Sequence, residues 1–122
     1  MRNQPKYNFI KNTIYALKGL KDITTHESSF KIELVICILL LPFMYFVDIA
    51  LLEKLLLFIT MIGVLIAETI NSAIERVVDL VTLEHHDMAG RAKDVGSTIV
   101  FLSIGLAVTV WTIIIFQNFY NQ

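Results

Sequence analysis

Leu55-Leu-Leu-Phe-Ile-Thr-Met-Ile-Gly-Val-Leu-Ile-Ala67 runs without a charge and passes directly into Glu68-Thr-Ile-Asn71-Ser72-Ala-Ile-Glu75-Arg-Val-Val-Asp79. Apolar residues fill the first part on every side, so the segment reads as a helix buried in lipid or protein. At about 100° per residue, Glu68, Asn71, Glu75 and Asp79 fall at roughly 0°, 300°, 340° and 20° around such a helix. The four share one stripe, with Ser72 beside it. An acid inside a membrane helix costs about 2.5–3.5 kcal/mol on insertion scales and marks a functional site by default. Three acids and an amide therefore rise along one face from lipid toward water. That pattern suits the handling of a metal or a proton.

Composition agrees with a membrane setting. The chain has 122 residues and is 56% hydrophobic, against about 45–50% in a typical soluble domain. The mean hydropathy is +0.68. One domain over residues 1–122 is expected from this length. The net charge of −1 gives no reason to expect nucleic acid as a partner. Cys37 is the only cysteine, which excludes an intrachain disulfide and a cysteine-based metal site. It reads as a buried structural thiol. No apolar core follows the first basic residues, so no cleavable signal peptide is expected.

Three apolar segments stand out. Leu34–Val47 has an uncharged core of 14 residues and lengthens when Ile32 and the stretch to Leu52 are included. Leu55–Ile74 has 20 residues and Val95–Phe116 has 22, and a span needs about 20. The expected spans are about 31–50, 54–75 and 93–117. Lysine and arginine orient them. Arg2, Lys6, Lys11, Lys18, Lys21 and Lys31 precede the first span; Lys54 alone lies in the first link; Arg76, Arg91 and Lys93 lie in the second; the tail has none. This alternation fits the positive-inside rule with the N-terminus cytoplasmic and the C-terminus outside.

Around these spans the chain offers a few local signals. Phe9, Ile10, Thr13, Ile14, Ala16, Leu17 and Leu20 recur at helical spacing, so residues 7–21 predict an amphipathic helix lying in the interface. Thr24-Thr25-His26-Glu27 predicts a turn and a helix start. Pro42 is expected to kink the first span. A further helix is expected to open near Gly90-Arg91-Ala92-Lys93-Asp94, which would place Lys93 and Asp94 at a helix N-terminus, where phosphate is favoured. Glu84-His85-His86 has no third histidine at helical spacing and makes a poor zinc site. Glycine-rich nucleotide loops are absent, so a bound nucleotide would use other devices. Glu68, held out of water near a reacting hydroxyl, suits a general base, and Asn71 can orient it. Glu27 and Glu75 lie at similar depth, and two carboxylates with phosphate oxygens are a common Mg²⁺ set. Basic neighbours pairing with Glu75 and Asp79 are the structural alternative.

The run from Glu68 to Asp79, followed by Gly90-Arg91-Ala92-Lys93-Asp94, resembles the integral-membrane prokaryotic diacylglycerol kinases. Ala16-Leu17-Lys18-Gly19-Leu20 and His26-Glu27-Ser28-Ser29-Phe30 match that family's N-terminal motifs, and the likeness extends from about Phe9 to Phe116. The resemblance implies an all-α integral membrane fold: an N-terminal amphipathic surface helix and three transmembrane helices, assembled as a homotrimer in the bacterial inner membrane. It implies transfer of the ATP γ-phosphoryl group to diacylglycerol, giving phosphatidic acid. Carried over, Glu68 is the catalytic base with Asn71 beside it, and Glu27 and Glu75 are the Mg²⁺ ligands and also meet nucleotide. Tyr15, Lys18, Glu84, His86, Lys93 and Asp94 match nucleotide-contacting positions. Lys54, Ser97 and Trp111, with Glu68, match positions on the lipid side. Three departures stand out: Asn8 where relatives often carry arginine, Pro42 in the first span, and Ala50 for an acid in the outer turn. A branch of the family phosphorylates undecaprenol; Val95-Gly96-Ser97 and Trp111 look more like the diacylglycerol branch. The competing class is a non-enzymatic proton or cation pathway relayed by Glu68.

Overall fold

In the computed structural model, which describes residues 3–120, the chain is four helices joined by short links: α1 Phe9–His26, α2 Ser28–Phe46, α3 Leu51–Val81 and α4 Asp87–Phe119. There is no strand among the described residues. Arg2, counted among the N-terminal basic residues, lies outside them.

Local chemistry explains the ends. The Asn8 side chain accepts from the Lys11 amide at 3.0 Å and caps α1, so the position that departs from the family's arginine has a structural task. α1 then runs through the residues expected to form a turn. Thr24 and Thr25 donate their hydroxyls to the carbonyls of Leu20 and Lys21 at 2.6 and 2.7 Å. A hydroxyl bonded back along its own helix is not available to cap the next one. The break falls instead at Glu27, extended at φ −107°, ψ 111°. Pro42 lies inside α2 near its end without terminating it. α3 starts at Leu51, where Glu53 accepts from the Ala50 amide at 3.0 Å, and Lys54 therefore sits in its first turn.

α4 opens at Asp87, ahead of the start expected near Gly90. Its cap is His86, whose Nδ1 accepts from the Met88 amide at 3.1 Å. Imidazole is not among the usual capping groups, so the sequence signal was weak. Lys93 and Asp94 consequently lie inside the helix, and neither stands on an exposed helix N-terminus as expected.

α3 packs most extensively on α4 and next on α2, while α1 leans on α2. Cys37, Met44, Leu57, Met61 and Ile114 form the core, flanked by Leu40, Leu65, Val110 and Trp111. Leu57 is fully buried. Trp111 stacks on Phe43 and donates its indole N–H to Thr60 Oγ1 at 3.2 Å, so the polar edge of the ring is satisfied inside the packing. Large apolar side chains cover the outside: Val35, Ile38 and Leu39 on α2, Phe101, Leu106 and Ile113 on α4. A helix apolar on all sides but exposed calls for lipid around it. By length and composition, α2 and α4 can each cross a membrane. α3 has 31 residues, a length of about 46 Å.

Candidate functional site

The acidic stripe of α3 is sorted by what packs against it. Glu68 is only 8% exposed and Ser72 is also buried, because α2 and α4 both close over this part of α3. Across the α2–α3 contact, Glu33 is an acid of α2 on the side of Glu68. Glu33 Oε2 is buried and accepts no hydrogen bond among the described residues. One turn along α3, Asn71 donates its side-chain N–H to Glu75 Oε1 at 3.3 Å. Its Oδ1 is buried and has no partner among the described residues. That oxygen rests on Gly96 of α4. A Cβ at Gly96 would collide with Asn71 Oδ1 and stand 3.5 Å from Asn71 Cγ, so glycine permits this crossing. An orphaned carbonyl oxygen beside a buried acid is a group awaiting a donor, since buried acceptors are nearly always paired.

The polar end of α3 is organised by two ion pairs. Arg76 grips Asp22 of α1 and also donates to Glu27 Oε1 at 3.1 Å. It ties the α1–α2 junction to the turn that carries Glu75. The Arg76 hydrogen bond holds the Asp22 carboxyl below its ordinary range, its field and that of His26 assisting and burial opposing. Lys93 of α4 donates to Asp79 at 2.7 Å, so the ion-pair alternative is realised for Asp79. Both partners are close to half exposed, so water and salt screen the pair and it adds little to stability.

Two concavities flank this framework. A polar recess of about 300 Å³ lies where α3 turns into α4, lined by Asp79, Thr82, Glu84, His85, His86 and Lys93. An apolar groove of about 1050 Å³ runs between α2, α3 and α4. Ile36, Leu40, Val64, Trp111 and Phe116 line it, and Glu33 is its one acid.

The expected residues thus fall into groups. Glu68, Asn71 and Glu75 form a continuous run, and Glu27 is drawn toward it by Arg76. Glu84, His86 and Lys93 share the polar recess. Asp94 is exposed beside it on α4 and does not line it. Tyr15 and Lys18 are exposed on α1 and reach neither concavity. Ser97 is exposed next to Gly96. Lys54 donates to the Tyr45 carbonyl at 3.0 Å, and Trp111 is bonded as described, so these two are engaged within the chain at the opposite end of α3. No group of three or more acid, histidine or cysteine side chains suited to a metal occurs among the described residues. Glu27 uses Oε1 for Arg76 and Glu75 uses Oε1 for Asn71. Each keeps a second carboxylate oxygen, a hard donor of the kind Mg²⁺ takes alongside phosphate and water.

Glu33, Gly96, Asp22 and Arg76 are site residues that sequence reasoning missed. Glu33 alone carried a usable signal, being an acid inside the expected first span. The others become visible only when α1, α3 and α4 are packed.

Comparison with known proteins fits this arrangement. The prokaryotic diacylglycerol kinase family profile matches residues 14–115. Diacylglycerol kinase from Escherichia coli is 37% identical over 110 residues, 90% of each chain. Diacylglycerol kinase from Haemophilus influenzae is 36% identical over 109 residues, 89% of this chain and 92% of the relative. Undecaprenol kinase from Bacillus subtilis is 31% identical over 98 residues, 79% of this chain and 80% of the relative. With a match that reaches all four helices and contains the entire Glu68–Asp79 stripe, the chain belongs to the prokaryotic diacylglycerol kinase family.

Proposed function

We propose that this protein transfers the γ-phosphoryl group of ATP to the hydroxyl of diacylglycerol in the bacterial inner membrane, giving phosphatidic acid. The observation that carries the reading is Glu68, an almost fully buried carboxyl with no ion pair among the described residues. It stands between an apolar groove for lipid and a polar recess for nucleotide. In this reading α2, α3 and α4 all cross the bilayer, with the N-terminus cytoplasmic and the C-terminus outside. The mouth of the recess then faces the compartment that holds ATP.

Diacylglycerol enters sideways from the bilayer with its hydroxyl at the depth of Glu68. Glu68 accepts the hydroxyl proton as the oxygen attacks phosphorus, and Asn71 keeps the two aligned. Phosphoryl transfer needs positioning and charge neutralisation more than covalent help. Glu27 and Glu75 would offer the carboxylate oxygens for Mg²⁺, which would neutralise phosphate charge when bound. Lys93 leaves Asp79 to meet phosphate, while Glu84, His86 and Asp94 border the nucleotide. Tyr15 and Lys18 complete the nucleotide side from α1 of the trimer, and Lys54, Ser97 and Trp111 serve the lipid side. Four thin helices do not enclose such a site, so a homotrimer builds it between subunits. Diacylglycerol is preferred over undecaprenol because the relatives named for it match more of the chain, at higher identity.

Purified protein in detergent, incubated with labelled ATP, Mg²⁺ and each lipid in turn, tests this. Label is expected in phosphatidic acid. Label in undecaprenyl phosphate alone would move the protein to the other branch. Ion flux in liposomes without ATP consumption would replace the enzyme reading with the proton or cation pathway.

A further inference from the structure

We propose that Arg76 is a positioning residue for Glu27, fixing one oxygen of that carboxylate and leaving the other to a hard cation shared with Glu75. The inference rests on the kinase reading for the identity of the cation, Mg²⁺ with nucleotide. The holding of Glu27 does not depend on that reading.

Two carboxylates that serve one ion must keep a fixed relation, and these two come from different elements. Glu75 lies within α3, and the helix sets its place. Glu27 stands at the break between α1 and α2, extended at φ −107°, ψ 111°. Its amide donates to the Ile23 carbonyl at 3.0 Å, and its carbonyl accepts from the Lys31 amide at 3.1 Å. Both helices therefore hold its backbone. Its side chain has no such support, because the carboxylate makes no capping hydrogen bond to α2. A glutamate side chain left to itself samples several rotamers, and ordering it on binding costs entropy.

Arg76 supplies the missing partner. It follows Glu75 in the sequence and shares its helical turn. Its Nε and Nη2 both donate to Glu27 Oε1, at 3.3 and 3.1 Å. Its Nη1 donates to Asp22 Oδ2. The other oxygen of Asp22 lies 3.1 Å from His26 Nδ1 on the same helix, which steadies that acid. The guanidinium thus holds two acids at once with donors on two edges of one plane, which an ammonium cannot reproduce. α1 leans on α2 rather than on α3. Among the described residues, the side-chain hydrogen bonds from α3 to the α1–α2 junction all start at Arg76. Glu27 Oε2 takes no part in the grip.

The sign of the effect separates positioning from charge. Arg76 is a cation beside a place for a cation. By charge alone it repels the metal, and its removal would tighten metal binding. By positioning, its removal loosens Glu27 and weakens binding, because the side chain is no longer ordered in advance. Groups that orient a metal-binding side chain change affinity about 10–100-fold when removed. This grip is partly exposed to water, so about tenfold is expected.

The test measures binding of a non-hydrolysable ATP analogue, with and without Mn²⁺, to the full-length protein in detergent. Wild type, Arg76→Gln and Arg76→Lys are compared, and hydrogen exchange of residues 22–28 is followed in the same samples. Arg76→Gln should weaken the Mn²⁺-dependent binding about tenfold, leave the metal-free analogue near wild type and speed exchange at the junction. Arg76→Lys keeps the charge but loses the fork, so it should weaken Mn²⁺-dependent binding as well; it also serves if Arg76→Gln misfolds. In turnover, the Mg²⁺ concentration for half-maximal rate should rise, while the rate at saturating Mg²⁺ falls no more than a few-fold. Unchanged or tighter Mn²⁺-dependent binding in a folded variant overturns the proposal. Equal weakening without metal also overturns it, by making Arg76 a direct contact of the nucleotide. So does exchange at the wild-type rate in both variants. Failure of the kinase reading looks different: wild type binds neither form of the analogue, while exchange at the junction still quickens in the variants. The holding of Glu27 then stands and its kinase purpose falls.

Discussion

Glu68 and Asp79 sit on the same face of α3, yet the fold treats them as different kinds of residue. Glu68 is closed in by α2 and α4 and has no ion pair among the described residues. Asp79 is exposed and has Lys93 at 2.7 Å. The difference follows from depth and neighbours, since both are acids at nearly the same helical phase. At the deep end of the stripe α3 is flanked by apolar helices that bring only Glu33. At the polar end it meets charged helix termini, and pairing is inexpensive there because water remains near. A stripe of acids is therefore two devices: a chemical group kept without a partner, and a tether that joins α3 to α4.

The largest expected effect comes from breaking the deep end. Glu68→Gln keeps the shape and removes the base. Turnover on the lipid should fall about 10²–10⁴-fold, the usual contribution of general-base catalysis, with the helical content unchanged by circular dichroism.

Gly96→Ala should follow. The new methyl group collides with Asn71 Oδ1, and the amide has to leave its place beside Glu68. Displacements of about 1 Å in a reacting constellation cost on the order of 10²-fold. Turnover is the readout, and Gly105→Ala, where a Cβ meets nothing within 4 Å, is the control expected to stay near wild type.

Arg76→Gln should be milder. It unties Asp22 and Glu27 from α3, and exposed pairs of this kind are weakened by water and salt. Faster proteolysis of α1 and a loss of a few-fold in turnover are expected. Acid should reproduce the loosening in wild type. The Asp22 carboxyl is held below its ordinary range in the folded chain. Its contribution is complete above the unfolded value of about 3.9 and disappears as pH falls through the lower folded value. Protection of α1 should therefore persist at neutral and mildly acid pH and fail only below the ordinary carboxylate range. Failure near pH 6 would point to a histidine instead.

Asp79→Asn should do least for folding. It removes one exposed, screened ion pair, and the midpoint of thermal unfolding should barely move. A larger shift would mean that Asp79 is more than a surface tether.

Much of this division is legible in the chain itself. The apolar runs before Glu68 and after Val95 declare helices, and spacing alone puts Glu68, Asn71, Glu75 and Asp79 on one face. Periodicity within a helix says nothing about the helix opposite. Glu33 belongs to the site through the α2–α3 contact, and on its own helix it is one acid near the end of an apolar run. Lys93 finds Asp79 through the α3–α4 crossing in the same way. The helix ends mislead for a local reason. Thr24 and Thr25 resemble caps but bond backward within α1, while His86 caps α4 with a ring nitrogen that composition does not advertise. Gly96 reads as an ordinary small residue until Asn71 is placed against it.

The most direct test sets Glu68→Gln beside Asp79→Asn in the same bilayer, with labelled ATP, Mg²⁺ and diacylglycerol. The account predicts phosphatidic acid from wild type, turnover from Asp79→Asn that remains measurable, and next to none from a folded Glu68→Gln protein. Turnover by Glu68→Gln equal to that of wild type would contradict it.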